Sequence, residues 1–159
     1  MELYANKITF SKKPISIPPE YRPSYTIGLI VLILKLSCQS SKSSLLKLHL
    51  IYWALKSSEN QESILKFIKS NYKESSKTWG IEPSLNRALN YAVHEQICSI
   101  TSGKYKLSDK GEVLYNKLIQ NKDYLEKEID FLNFLGKRKI TDNRIDSIYK
   151  KWKNQNAQN

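Results

Sequence analysis

Histidine, cysteine and glycine are all scarce in this chain, and each shortage removes a class of chemistry. The two histidines, His49 and His94, stand far apart, and neither Cys38 nor Cys98 has a neighbour at metal-ligand spacing, so no metal is expected. Glycine is too sparse for a phosphate-cradling loop: Ser102-Gly103-Lys104 lacks both the upstream glycine and the strand-to-helix setting that make such a loop work. A Gly-x-Ser-x-Gly elbow is absent as well. The acidic group Glu126, Glu128 and Asp130 falls on a predicted solvent face and reads as solvated surface rather than as an acid–base pair. Neither a catalytic residue, a cofactor nor a small-molecule substrate is expected. Long apolar runs are missing too. Ile27–Leu34 ends at Lys35, far short of the ~20 residues of a membrane span, and Met1–Phe10 has no apolar segment of the secretory kind. The expectation is a cytoplasmic protein, not bound to membrane, with two buried, reduced thiols.

What the sequence has in excess is positive charge. The formal net charge over 159 residues is +11. Residues 1–80 carry 12 basic and 5 acidic side chains, residues 81–136 carry 7 and 8, and residues 137–159 carry 7 and 2. The ends are basic and the middle is neutral. Phosphate neutralisation supplies most of the affinity of DNA-binding proteins, so the uneven distribution matters more than the total. A composition this rich in Lys, Asn, Ile and Ser also arises from AT-rich coding sequence without any functional demand for cations.

Along the chain, residues 1–23 hold Pro14, Pro18, Pro19 and Pro23 and read as an extended arm, with Ile15, Ile17 and Tyr21 alternating with polar residues. Ser24 to about Ser37 reads as a helix apolar on nearly every side, a buried strand being the competing reading. Such a helix must be covered all round, either at the centre of the domain or by another subunit. Residues 37–44 read as a loop. Helices follow from about Leu45 to Lys56 and, capped by Asn60, to about Tyr72. Residues 73–82 form a polar loop anchored by Trp79, and Pro83 opens a helix to Gln96. Asp123 either caps a new helix or lies in one continuing from Ser108, and Gly136 ends it. The last helix spans Thr141–Trp152, and Asn154–Asn159 reads as a disordered tail. The implied division is an arm (1–23), a helical domain (24–136), a basic C-terminal helix (137–153) and a tail (154–159).

The most informative stretch is 97–115. Two β-prone runs, Ile97–Ile100 and Tyr105–Leu107, flank Thr101-Ser102-Gly103-Lys104, where Gly103 can supply the positive φ that closes a hairpin. Ser108 then stands as a helix N-cap, with Asp109 and Glu112 in the first turn. Helix, hairpin, helix is the order of the second half of a winged helix-turn-helix, and Tyr105-Lys106-Leu107-Ser108-Asp109-Lys110-Gly111 resembles the wing-to-helix junction of bacterial winged-helix regulators. The fold expected from that resemblance is mainly α, a winged helix-turn-helix with a two-stranded wing and additional N- and C-terminal helices. Over about 120 residues, Pro18-Pro19-Glu20-Tyr21-Arg22-Pro23, the apolar helix, Lys47-Leu48-His49-Leu50-Ile51-Tyr52-Trp53-Ala54-Leu55 and the wing ending Tyr105-Lys106-Leu107 are together similar to small middle components of bacterial three-component ABC systems of the Lamassu type. Those are encoded beside an SMC-like ATPase and an effector in anti-phage and anti-plasmid operons. The resemblance implies an accessory subunit whose partners are an SMC-like ATPase and an effector nuclease.

Two binding functions follow as expectations. In an adaptor, the arm and first helix hold a protein partner through Ile17, Tyr21, Leu29, Ile33 and Leu36. The apparent surplus of apolar bulk (Leu29–Leu36, Trp53, Trp79, Phe131, Phe134, Trp152) supports that reading, and any DNA contact would come from Lys137, Arg138, Lys139, Lys150, Lys151 and Lys153 meeting phosphates. In a sequence-specific regulator, Asn86, Arg87 and Asn90, with Tyr91 and His94, enter the major groove, where Asn reads adenine and Arg guanine. Lys104 and Lys106 then contact phosphates from the wing.

Overall fold

A computed structural model describes residues 22–73 and 80–156. The chain runs α1 (Pro23–Ser37), β1 (Lys42–Ser43), α2 (Leu45–Leu55), α3 (Ser58–Lys69), α4 (Pro83–His94), β2 (Cys98–Thr101), β3 (Lys104–Leu107), α5 (Asp109–Gln120), α6 (Glu126–Leu135) and α7 (Asp142–Asn156). It is a mainly helical protein with one small antiparallel sheet.

The apolar first helix is a helix, and it is central. Leu29 through Leu34 are buried in a core that also takes in Leu48, Ile51, Leu85, Leu89, Leu132 and Leu135. Helices α4, α5 and α6 all pack against α1. A partner is therefore not needed to cover it. The expectation that Leu29 and Ile33 dock another protein is overturned, because they are 3 % and 0 % exposed inside this chain's own core, with Leu36 half-buried against the same cluster. Trp53 and Phe131 are buried there too, while Phe134 is 61 % exposed. Ile17, Tyr21 and Trp79 lie outside the described residues, as does the side chain of Trp152. Lys35 escapes the core because its ammonium reaches Glu112 on α5 at 2.8 Å and lies over the Tyr115 ring. The burial of Leu29 through Leu34 stabilises the fold by roughly 1.5–3 kcal/mol per side chain.

Caps set the boundaries. Ser44 accepts from the Lys47 amide to start α2, Ser57 from the Asn60 amide to start α3, and Ser108 from the Gly111 amide to start α5. Ser57, not Asn60, thus opens α3, and Asn60 Nδ2 instead donates to the Trp53 carbonyl at 2.9 Å. Between α5 and α6 the chain neither runs on nor caps at Asp123; it makes a short 3₁₀ turn at Lys122–Tyr124 and restarts at Glu126. Gly136 ends α6 with φ 65°. The last helix continues to Asn156, so residues 154–156 are helical where a disordered tail was expected, and residues 157–159 lie outside the described part.

The hairpin turns through Ser102 and Gly103, both at positive φ (52° and 71°), the two-residue geometry whose twist matches the flanking strands. The expected two-stranded wing gains a third strand. The sheet order is β1-β3-β2, with Lys42 opposite Lys106, Ser43 opposite Tyr105 and Cys98 opposite Leu107. Side chains alternate faces along a strand. Ser43, Cys98 and Leu107 therefore point into the core and are buried, while Lys42, Ser99, Lys104 and Lys106 share the outer face.

Candidate nucleic-acid interface

The outer face of the sheet gathers cations that the linear charge count keeps apart. Lys42 comes from the segment before α2 and stands directly across from Lys106 of the hairpin. Like charges facing each other across strands destabilise a sheet, and here no carboxylate lies in the pairing register between them. Beside this face, a cleft of about 240 Å³ is lined by Gln39, Ser40, Lys42, Lys47, Lys104, Lys137, Ile140, Thr141 and Asp142. Four lysines and one aspartate line it. Lys137 reaches it from the loop after α6, so residues from the first half, the hairpin and the C-terminal segment meet in one place.

The one carboxylate is well anchored. Asp142, at the start of α7, accepts from the Ser44 amide at 3.1 Å and pairs with Lys104 at 2.8 Å. Burial alone would raise its carboxyl, but the bonds from Lys104 and Ser44 outweigh that and hold it below the usual carboxylate range. Lys104 is therefore turned toward α7 and does not stand free at the tip of the wing as expected. Lys47 is the unusual member. It sits on an otherwise apolar helix, is only 3 % exposed, and lies beside the Cys38 thiol. Burial pushes that thiol up despite the neighbouring ammonium and the Ser43 hydroxyl, so the thiol is neutral at ordinary pH.

The candidate reading helix, α4, presents a mixed picture. Its inner stripe of Leu85, Ala88, Leu89 and Ala92 is buried, and Arg87, Asn90, Tyr91 and His94 are exposed on the outer side. Asn86 is not available to a base. Its Oδ1 meets Nε2 of His49 at 3.0 Å, while Nδ1 of the same ring accepts from the Glu82 amide at 3.1 Å. His49 is fully buried and joins α2 to the start of α4. Burial lowers its pKa, with the Asn86 bond and the Glu82 charge pulling weakly the other way. Since Nδ1 accepts, the ring is neutral with its proton on Nε2.

The remaining basic residues do not converge. Lys139 donates to the Phe134 carbonyl at 2.8 Å and lies 4.1 Å over the Phe134 ring. Arg138 is exposed beside it. Lys150, Lys151 and Lys153 are exposed near the far end of α7, at least ~12 Å along the helix from the cleft at 1.5 Å per residue. Of the expected phosphate-contacting residues, Lys104, Lys106 and Lys137 belong to the gathered face, and Lys42 and Lys47 are additions. Lys47 carried a signal in the sequence, a lone cation between Leu46 and Leu48. Lys42 carried none, because a two-residue strand leaves no periodicity.

Two other hollows are larger. A groove of about 480 Å³ runs between Tyr25, Tyr52, Leu55, Glu82 and Glu128, and its charged groups are paired: Lys56 with Glu82 at 2.8 Å, and Glu128 with the Tyr25 hydroxyl at 3.2 Å. The neighbouring groove between α2 and α6, lined by Leu55, Phe131 and Phe134, is more apolar. Among the described residues no three His, Cys, Asp or Glu side chains are placed to hold a metal, and no helix is long and apolar enough to cross a membrane. Compared with family models, curated proteins and solved structures, the chain matches none.

Proposed function

We propose that this chain is a non-enzymatic winged-helix accessory subunit that holds nucleic acid by its phosphates rather than by reading bases. The setting is a cytoplasmic multi-protein complex, with the SMC-like ATPase and effector implied by the resemblance as its neighbours. The winged-helix reading is supported by the order α1, β1, α2, α3, α4, β2, β3 and by the strand order β1-β3-β2, which has the hairpin's second strand in the middle. The observation that carries the nucleic-acid reading is the facing pair Lys42 and Lys106 within a lysine-rich sheet surface. Such an arrangement costs stability unless a polyanion meets it. The apolar helix is covered internally, and of the exposed large apolar side chains (Ile81, Tyr91, Ile100, Val113, Tyr124 and Phe134) the two most exposed, Tyr124 and Phe134, flank α6, which supports a protein partner at that edge rather than at α1.

Binding of a random-sequence duplex, followed by fluorescence anisotropy over a range of salt, tests this reading. The Lys42→Ala/Lys106→Ala double variant should bind more weakly to every sequence and lower the slope of log K against log salt by about 2, at ~0.9 per lost phosphate contact. The second reading, a sequence-specific regulator, is favoured by the free outer face of α4. It prevails if one operator is bound ~10³-fold tighter than random DNA and Arg87→Ala/Asn90→Ala removes that preference.

A further inference from the structure

The cleft beside the sheet has a charge pattern that a backbone-tracking surface does not require. We infer that it is a seat for a single phosphate monoester, a dianionic group, held by Lys42, Lys47 and Lys137 with Thr141 and Ser40 at its rim. Four cations and one carboxylate line the space, and the carboxylate is consumed by Lys104 at 2.8 Å. Lys42, Lys47 and Lys137 are left lining the same 240 Å³. Lys47 is the decisive one. The residue is only 3 % exposed and yet lines the cleft, so an anion seated there complements a charge that little water reaches. Beside it stands the Cys38 thiol, which burial keeps protonated and so uncharged, while the nearby Asp142 carboxylate is already bonded to Lys104 and the Ser44 amide. A monoester, carrying about −1.5 to −2 at neutral pH, matches the surplus better than the single charge of a diester inside a strand. At ~30 Å³ per water the cleft has room for a tetrahedral oxyanion with solvent beside it.

The monoester has two natural sources, the phosphorylated end of a nucleic-acid strand and free phosphate or a small phosphate ester. Only the first of these rests on the nucleic-acid reading above. The experiment has an arm for each and uses the full chain. Thermal unfolding is measured in inorganic phosphate and in chloride at equal ionic strength, for the native chain, Lys137→Ala, Lys47→Gln and, as a control outside the cleft, Lys106→Ala. The expected result is a higher Tm in phosphate for the native chain and Lys106→Ala, with the rise lost in Lys137→Ala. Lys137 is exposed, so that variant reports even if Lys47→Gln unfolds. In the second arm, single strands with a 5′-phosphate or a 5′-hydroxyl compete for the protein. A strand-end source gives about tenfold tighter binding of the phosphorylated strand, with inorganic phosphate as a competitor. Equal binding of the two strands beside an intact phosphate effect assigns the site to free phosphate. The same Tm in phosphate and chloride, or a Lys137→Ala chain that responds as the native one does, overturns the site. Loss of random-duplex binding in Lys106→Ala, which lies outside the cleft, bears only on the backbone reading, so the two can fail separately.

Discussion

His49 has two hydrogen bonds that only the neutral ring can make as arranged, one accepted at Nδ1 from Glu82 and one donated from Nε2 to Asn86. Protonation would put a second donor against the Glu82 amide inside the core. Its pKa in the folded chain is accordingly below the ordinary value of 6.5. The unfolded chain therefore binds more protons as pH falls below about 6.5, and folding stability falls with it. The native chain should lose stability between pH 7 and pH 5.5 at up to ~1.4 kcal/mol per pH unit. Above pH 7 this contribution is fully present and flat. Denaturant titrations across that range should show the slope, and His49→Gln, which cannot titrate, should remove most of it. An unchanged slope in the variant would assign the dependence to other groups. This residue also shows why the reading face of α4 shrinks: the sequence pattern places Asn86 outward, and only the fold reveals that His49, 37 positions earlier, reaches it.

At the scale of elements, the junction from hairpin to α5 was legible in the sequence because its determinants are local. Gly103 closes the turn, and Ser108 caps the helix while its hydroxyl also donates to the Ile97 carbonyl at 2.8 Å. Gly111 is a further determinant. A Cβ there would lie 2.8 Å from Leu107 Cγ and closer still to the Ile97 carbonyl oxygen, since strand and helix meet at this point. Alanine in a helix interior normally gains about 0.5–1 kcal/mol over glycine. Here the overlap involves backbone and a buried leucine, and overpacking of about 2–3 kcal/mol outweighs that gain. Gly111→Ala should lower Tm by roughly 2–10 °C, whereas Gly80→Ala, with nothing within 4 Å of its new methyl, should be close to neutral. Equal behaviour of the two variants would rule out the close approach. By contrast β1 was unreadable, because two residues, Lys42 and Ser43, have no periodicity and pair only through a partner strand more than sixty positions away. The extent of α7 was misjudged for a related reason. Asn154 and Asn156 have low helix propensity, yet the helix is begun and oriented elsewhere, by the Asp142 bonds to Ser44 and Lys104.

For the molecule as a whole, the same long-range assembly decides both the charge map and the core. Counting charge in sequence blocks made the hairpin region neutral, but Lys42 and Lys137 lie outside that block and arrive at the hairpin only through the fold. The part of the apolar surplus in Leu29–Leu34, Trp53 and Phe131 was likewise real in the sequence and is absorbed into one core, with α4, α5 and α6 closing around α1. A core continuous enough to cover α1 should open only as a unit, and the two cysteines report on that. Cys38, after α1, and Cys98, starting β2, are both free and buried, 0 % and 2 % exposed. Burial pushes the Cys98 thiol up to about 12. At pH 8 its reactive thiolate is then only about one part in ten thousand, against roughly a quarter for an ordinary thiol near 8.5. Cys38 shifts in the same direction. Thiol-reactive dye should therefore label the native chain at least a thousandfold more slowly than the chain in denaturant. The two sites should gain reactivity together as denaturant is raised, at the midpoint seen by circular dichroism. If Cys98 labels rapidly in native buffer while Cys38 stays protected, the sheet opens apart from the helical core, and the lysine face cannot be the rigid surface that phosphate binding requires.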